Sequence, residues 1–172
     1  MQSELCSFHL NTSDISTTGD VYNQYGSINT YRTDMTWNNV SLKTIMGPIM
    51  YNNYDKFNIK LCSIMHSEPT LIPSSTSINL NLLINIGGLP FSNSTYNTKA
   101  DSNSSTCELG SFLVTATAKQ FYYLDDNIFT IEKPSDRNNI RIFFTTITGI
   151  PPTWTNIGPQ YDFYFRIYGV KN

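Results

Sequence analysis

The residue types best suited to chemistry in this 172-residue chain are three cysteines, Cys6, Cys62 and Cys107, and two histidines, His9 and His66. Each histidine follows a cysteine, as Cys6-x-x-His9 and Cys62-x-x-x-His66. A Cys2His2 set would suit tetrahedral zinc if the first and third strands brought these segments together. Strand geometry argues against this, because residues three apart face opposite sides and Cys6 and His9 cannot aim at one ion without a bulge. The expectation is therefore strand cysteines packed in a core, with no metal site. An odd cysteine count without a secretory context also argues against a disulfide.

The other candidates are weaker. Asp125-Asp126 has the form of a carboxylate pair for calcium or acid–base work, but Asn127 follows and the trio reads as a turn. Gly87-Gly88 has neither a Walker lysine nor a following helix, so it is not a phosphate loop. The hydroxyl residues show no spacing that singles out an activated nucleophile. Sequons at Asn11, Asn39, Asn93 and Asn103 are expected by chance in so Asn/Ser/Thr-rich a chain, and they matter only if the protein is secreted. The chain is expected not to be an enzyme and to need no cofactor. Two aromatic positions stand out instead. Trp37 precedes a short helical stretch, and Trp154 sits in a loop with Pro151 and Pro152. Each either plugs an end of a core or anchors a contact with another chain, where tryptophan and tyrosine are enriched.

The elements that carry these residues are mostly strands. Ser3–Leu10 places Cys6, Phe8 and Leu10 on one face, and 11–26 reads as a loop. Ser27–Trp37 reads as a second strand, with Met35 and Trp37 on the same face. The stretch 35–61 then breaks the alternation: Leu42, Ile45, Met46, Ile49 and Met50 follow the spacing of one helical face. Gly47-Pro48 allows either one bent helix or two short turns, since a residue before proline avoids the α region. Further strands follow at Lys56–Ser67 (Phe57, Ile59, Leu61 and Met65 sharing a face) and at Ser77–Ile86 (Leu82, Ile84 and Ile86 inward, Asn79, Asn81 and Asn85 outward). The long polar stretch 89–108 reads as a loop that is functional or mobile. The remaining strands are read at 109–119, 121–133 with a bend near Asp125, 139–148 and 160–170.

Composition supports this reading. Alanine occurs only at 100, 116 and 118, glutamate is scarce, and β-branched and aromatic residues, including 11 tyrosines, are abundant. The net charge is −2 with 14% charged residues, and no clustered basic face suits a nucleic acid. Residues 1–10 lack a basic start and an apolar run, so no signal peptide is expected. The most apolar stretch, 78–89, is broken by Asn79, Asn81 and Asn85, so no membrane insertion is expected either. Residues 1–172 are read as one all-β domain, an eight-stranded jelly-roll β-sandwich with one short helical piece between the second and third strands.

The segment M-T-W-N-N-V-S-L-K-T-I-M-G-P-I-M-Y-N-N-Y-D-K-F-N-I-K-L (35–61) and the ending D-F-Y-F-R-I-Y-G-V (162–170) resemble the small single-jelly-roll capsid proteins of large icosahedral double-stranded DNA viruses and their relatives. The resemblance implies a structural virion protein, made in the host cytoplasm, with no catalytic residue. It implies a penton subunit that forms a homopentamer at vertices, or a minor capsid protein beside a major one. Its partners would then be copies of itself and the neighbouring major and minor capsid proteins, with no direct nucleic-acid contact. Trp37, Ile45, Met46, Ile49, Met50, Pro151, Pro152 and Trp154 are the candidate interface residues. The competing reading is a lectin-like or receptor-binding jelly-roll module, trimeric or pentameric, that uses loop 89–108, Trp154 and the Asp125–Asn127 cluster.

Overall fold

A computed structural model describes residues 4–15, 26–28, 34–66, 79–92, 106–115, 121–123, 128–146 and 160–170. The strands are β1 (Glu4–Asn11), β2 (Gly26–Ile28), β3 (Asp34–Val40), β4 (Lys56–His66), β5 (Asn79–Gly87), β6 (Thr106–Thr115), β7 (Phe121–Tyr123), β8 (Ile128–Glu132), β9 (Asn138–Thr146) and β10 (Tyr161–Val170). A 3-10 turn (Thr12–Ile15) follows β1, and the helices α1 (Leu42–Met46) and α2 (Pro48–Asn53) connect β3 to β4. One antiparallel sheet runs β1-β10-β4, with β7 and β8 both on the free edge of β4. The other runs β2-β3-β9-β5-β6. With β7 and β8 taken as one position and β2 as an added edge, the sheets hold strands one-eight-three-six and two-seven-four-five. This interlocked order is a jelly roll.

The core forms where the inward-facing positions of the two sheets meet. β10 supplies Tyr161, Phe163, Phe165 and Ile167, β4 supplies Phe57, Ile59, Leu61 and Ile64, and the second sheet adds Met35, Trp37, Leu82, Ile84, Ile86, Ile140, Ile142 and Phe144. Each such side chain contributes about 1.5–3 kcal/mol by leaving water. Aromatic rings pack within and between the sheets: Phe8 stacks on its strand neighbour Phe165 at 5.0 Å, and the Phe144 ring stands edge-on to Tyr161 of the facing sheet at 5.0 Å.

Several expected boundaries and faces are corrected. The stretch read as one second strand is a hairpin: β2 pairs antiparallel with β3, Ile28 opposite Met35 and Gly26 opposite Trp37. Residues 29–33 lie outside the described ones. In β4, Met65 does not share a face with Leu61. Tyr164 pairs with Ser63 and Phe165 with Leu61, so Cys62 is an extra residue, and this bulge turns Ile64 and His66 inward and Met65 outward. The sixth strand divides into β7 and β8, with Tyr123 of β7 opposite Ser63 and Ile128 of β8 opposite Lys60. Asp125, Asp126 and Asn127 themselves lie outside the described residues. Asn85 points away from the core, as expected, yet it is buried and donates from Nδ2 to Thr145 Oγ1 (3.2 Å).

Loop 89–108 is shorter than expected at both ends. Thr106 already belongs to β6, and Pro90–Ser92 are laced to β8 by Glu132 N–H to Pro90 O (2.8 Å) and Ser92 N–H to Thr130 O (2.9 Å). Residues 93–105 lie outside the described ones.

Two glycines carry close approaches. Gly88 has φ +81°, and a Cβ there would stand 1.7 Å from the carbonyl oxygen of Asn139. At Gly169 the added atom would instead meet the ring of Tyr54 at 2.7 Å, a side chain that is able to turn aside. Gly88→Ala is therefore expected to destabilise by about 3 kcal/mol or more, and Gly169→Ala by about 1–2 kcal/mol. Chemical denaturation of the two variants measures the order, and equal losses would contradict it.

Candidate functional site

Among the described residues, the connection between β3 and β4 departs most from a plain sandwich. Ser41 has an extended backbone and accepts the Thr44 N–H on its side-chain oxygen (3.1 Å), which starts α1. α1 stops after one turn and a half because Gly47 takes φ +80° and ψ +149°. Pro48 then begins α2, where its missing N–H is no loss and its fixed φ suits a first turn. The break resets the helical phase. Leu42 and Met46 of α1 enter the core, but in α2 the buried residue is Tyr51.

The expected common apolar face of Ile45, Met46, Ile49 and Met50 is thus corrected. Met46 is buried, Ile45 is half-buried against the core, and Ile49 and Met50 stand 76% and 40% exposed. A continuous helix would have kept all four on one side, whereas the Gly47 turn sends the last two outward. Trp37 is also placed: it is 4% exposed, lies edge-on to Phe163 at 6.0 Å and donates its indole N–H to Asn11 O (3.0 Å). It plugs the core and is not an exposed anchor.

Tyr51 anchors the corner. Its ring packs on Phe57 and its hydroxyl donates to the carbonyl of Pro134, in the turn between β8 and β9. The ammonium groups of Lys43 and Lys133 lie 5.6 and 5.0 Å from the same ring centroid, within cation–π range. Lys43 also pairs with Asp136 (3.2 Å), and nearby Lys56 pairs with Glu132 (3.1 Å). The Ser92 hydroxyl (2.8 Å) and, after it, Lys56 hold the Glu132 carboxyl below its usual pKa. The sequence reading missed Tyr51, Lys43 and Lys133 as a group. The signal available was the Gly47-Pro48 break, which rotates Tyr51 into the position that an unbroken helix gives to Met50.

Val40 pairs with Asn138 and Val170 with Lys56, so the helical corner sits where β9 begins and β10 ends. Pro151, Pro152 and Trp154 lie outside the described residues. The strand ends that flank them, Thr146 (opposite Leu82) and Tyr161 (opposite His66), are at the other end of the sandwich.

The cysteines and histidines are dispersed. β10 lies between β1 and β4, so the two Cys/His segments flank it and do not pair. His66 is buried, whereas His9 is exposed on the outer face and its Nδ1 stands 2.9 Å from a carboxylate oxygen of Asp162. Along that face β10 presents Asp162, Tyr164 and Arg166. The Arg166 guanidinium, then the Ser7 hydroxyl, hold the Tyr164 phenol below its ordinary pKa. On the other sheet Arg141 grips Asp34 with two bonds (2.8 and 2.6 Å) and lies 4.6 Å over Phe143. Among the described residues no group of three or more metal-ligating side chains gathers, and no helix is long and apolar enough to cross a membrane.

Tyr51→Phe removes the donor to a buried carbonyl and is expected to cost about 1–2 kcal/mol, read by denaturation. Burial, then the neighbouring Glu108 charge, push the Cys107 thiol above its ordinary pKa. A raised pKa leaves less thiolate at a given pH, so alkylation of Cys107 should rise at higher pH than that of an unfolded control, followed by mass spectrometry. Compared with protein-family models and with curated proteins, the chain matches none.

Proposed function

We propose that the protein is a structural subunit of an icosahedral virion, the penton-type jelly roll that assembles into a homopentameric vertex. The observation that carries this reading is an outer sheet face bearing exposed apolar residues, Met65 (37%) and Ile128 (50%), on a jelly roll. Around them the outward positions of β1, β4, β8 and β10 carry Ser7, His9, Asn58, Thr130, Tyr164 and Tyr168 together with the charged Lys60, Asp162 and Arg166, with Lys60 directly across from Ile128 and Asp162 from Met65. A polar face with apolar residues in it suits burial against another protein. The low charged fraction of the whole chain fits the same use.

The mechanism is assembly. Each copy sets one flank against a different flank of the next, a head-to-tail contact that closes into a ring when the rotation divides the circle. The helical corner and the opposite end of the sandwich then remain for neighbouring capsid proteins. The subunit works through shape and contact, without a chemical step.

Native mass spectrometry of the purified chain is expected to give a pentamer. Ile128→Lys puts a charge into the contact and is expected to raise the concentration needed for assembly by at least about tenfold. Because Ile128 is exposed, the melting temperature of the monomer should not change. A chain that stays monomeric at high concentration and is absent from particle vertices overturns the reading.

A further inference from the structure

The outer face of β10 holds a connected cluster of polar side chains around one phenol. Tyr164 faces outward and is half-buried, and the Arg166 Nε–H donates to its oxygen (3.3 Å). The same guanidinium stands 5.6 Å from the ring centroid, so its charge is held close to the ring as well. From β1, Ser7 lies across from Arg166 and its hydroxyl also bonds to Tyr164, while His9 lies across from Tyr164 with the two rings 4.8 Å apart. The carboxylate on this face, Asp162, is engaged by His9 Nδ1 at 2.9 Å. From β4, Ser63 lies across from Tyr164 and Lys60 across from Arg166.

A hydrogen bond donated by a cation favours the ionised form of the oxygen that receives it. Arg166 first, then Ser7, therefore hold the phenol below its ordinary pKa, outweighing burial and the Cys62 thiol. The phenolate is the nucleophilic form of a tyrosine. Other tyrosines of the fold are placed differently. Tyr51 donates to the Pro134 carbonyl, Tyr161 is buried, and Tyr168 shares the outer face but lies across from Asn58.

We propose that Tyr164 is a covalent modification site, the phenol at which the folded chain accepts an activated sulfonyl group. The phenolate oxygen forms the O–S bond, the bond from sulfur to its leaving group breaks, and the leaving group departs with that electron pair. The phenol proton passes to solvent. Arg166 acts through Tyr164 as a positioning residue. The inference rests on contacts within one sheet and not on the capsid reading.

The test is labelling of the full-length protein with an aryl sulfonyl fluoride, fluoride being the leaving group, with modified residues located by peptide mass spectrometry. The native chain and Ile128→Lys are both used, so that self-association does not hide the phenol. Tyr164 is expected to be the first residue labelled at neutral pH, at least about tenfold faster than Tyr168. Its rate is expected to rise at lower pH than in the unfolded chain, because a lowered pKa supplies phenolate earlier as pH rises. Arg166→Gln is expected to move this profile to higher pH and to slow labelling at neutral pH by at least about threefold, with part of the rate restored in Arg166→Lys. Ser7→Ala, at an exposed position, is expected to move the profile in the same direction by less, and it serves where Arg166→Gln alters the melting temperature.

Equal rates at Tyr164 and Tyr168, or faster labelling of Lys60 or any other residue in both chains, overturn the proposal. So does a pH profile that these substitutions leave in place, since a merely structural contact would not shift it. Absence of a Tyr164 adduct from both chains overturns it too, whereas an adduct in Ile128→Lys alone supports it.

Discussion

Strand β10 is hydrogen-bonded on both sides for nearly its whole length, to β1 from the start of the chain and to β4. Its strict alternation is the constraint on which the rest depends. Tyr161, Phe163, Phe165 and Ile167 all face the core, and each has neighbours from both sheets or from both flanking strands. β10 therefore cannot slip by one residue without driving four large apolar side chains into water and four polar ones inward. It also joins the two ends of the chain, with Phe8 stacked on Phe165 and Thr12 accepting the Tyr161 N–H (2.9 Å). Closing so long a loop is slow, and the contacts made by β10 reward it only when most of the sandwich is in place.

Around this strand the other strands are aimed by local irregularities. The extra residue Cys62 reverses the faces of the last third of β4, which is why Ile64 and His66 reach the core. In β6 a register shift makes Leu109 an extra residue, followed by Gly110 at φ +125°. That bulge lies on the strand that ends this sheet among the described residues, where a bulge discourages pairing with a foreign strand. In β3 the shift falls at Asn38 and Asn39. Asn39 takes φ +58°, which asparagine tolerates, and its N–H is held by Asn139 Oδ1 at 3.1 Å. Asn139 is also the residue whose backbone carbonyl abuts Gly88, so the β3 bulge and the turn after β5 both lean on this one residue.

The same economy explains the helical corner. Within the excursion between β3 and β4, the second helix is held by one large buried anchor, and Tyr51 supplies both area and a hydrogen bond to the far turn. Once Tyr51 is fixed, Ile49 and Met50 have no place in the core. Folding tolerates their exposure, because isolated surface apolar residues cost little. The arrangement leaves Ile49 and Met50 exposed on a short helix that Tyr51 fixes from its other side.

How far the sequence alone determines the protein differs from element to element. The period-two pattern of 161–170, and of Leu82, Ile84 and Ile86, specifies strands and their inward faces, because burial selects every second side chain and nothing interrupts it. The scarcity of alanine and glutamate and the short helical spacing after Trp37 specify the class and the place of the corner. Bulges are invisible to that pattern: an inserted Cys62 looks like any other strand residue until its partners on β10 are known, so Met65 was assigned to the wrong face. The hairpin of β2 and β3 is hidden likewise: read as one strand, Ile28 and Met35 fall on opposite faces, whereas the antiparallel pairing sets them directly across from each other. At the corner the sequence marks a helix and a Gly-Pro break, but the choice between one bent helix and two turns follows from the Gly47 backbone. That choice places Tyr51 inside and Ile49 and Met50 outside. It also brings Lys43 and Lys133, 90 positions apart in the chain, onto one ring. Only tertiary packing could decide it, because the competing local conformations differ little in energy until the core accepts one side chain and excludes the others.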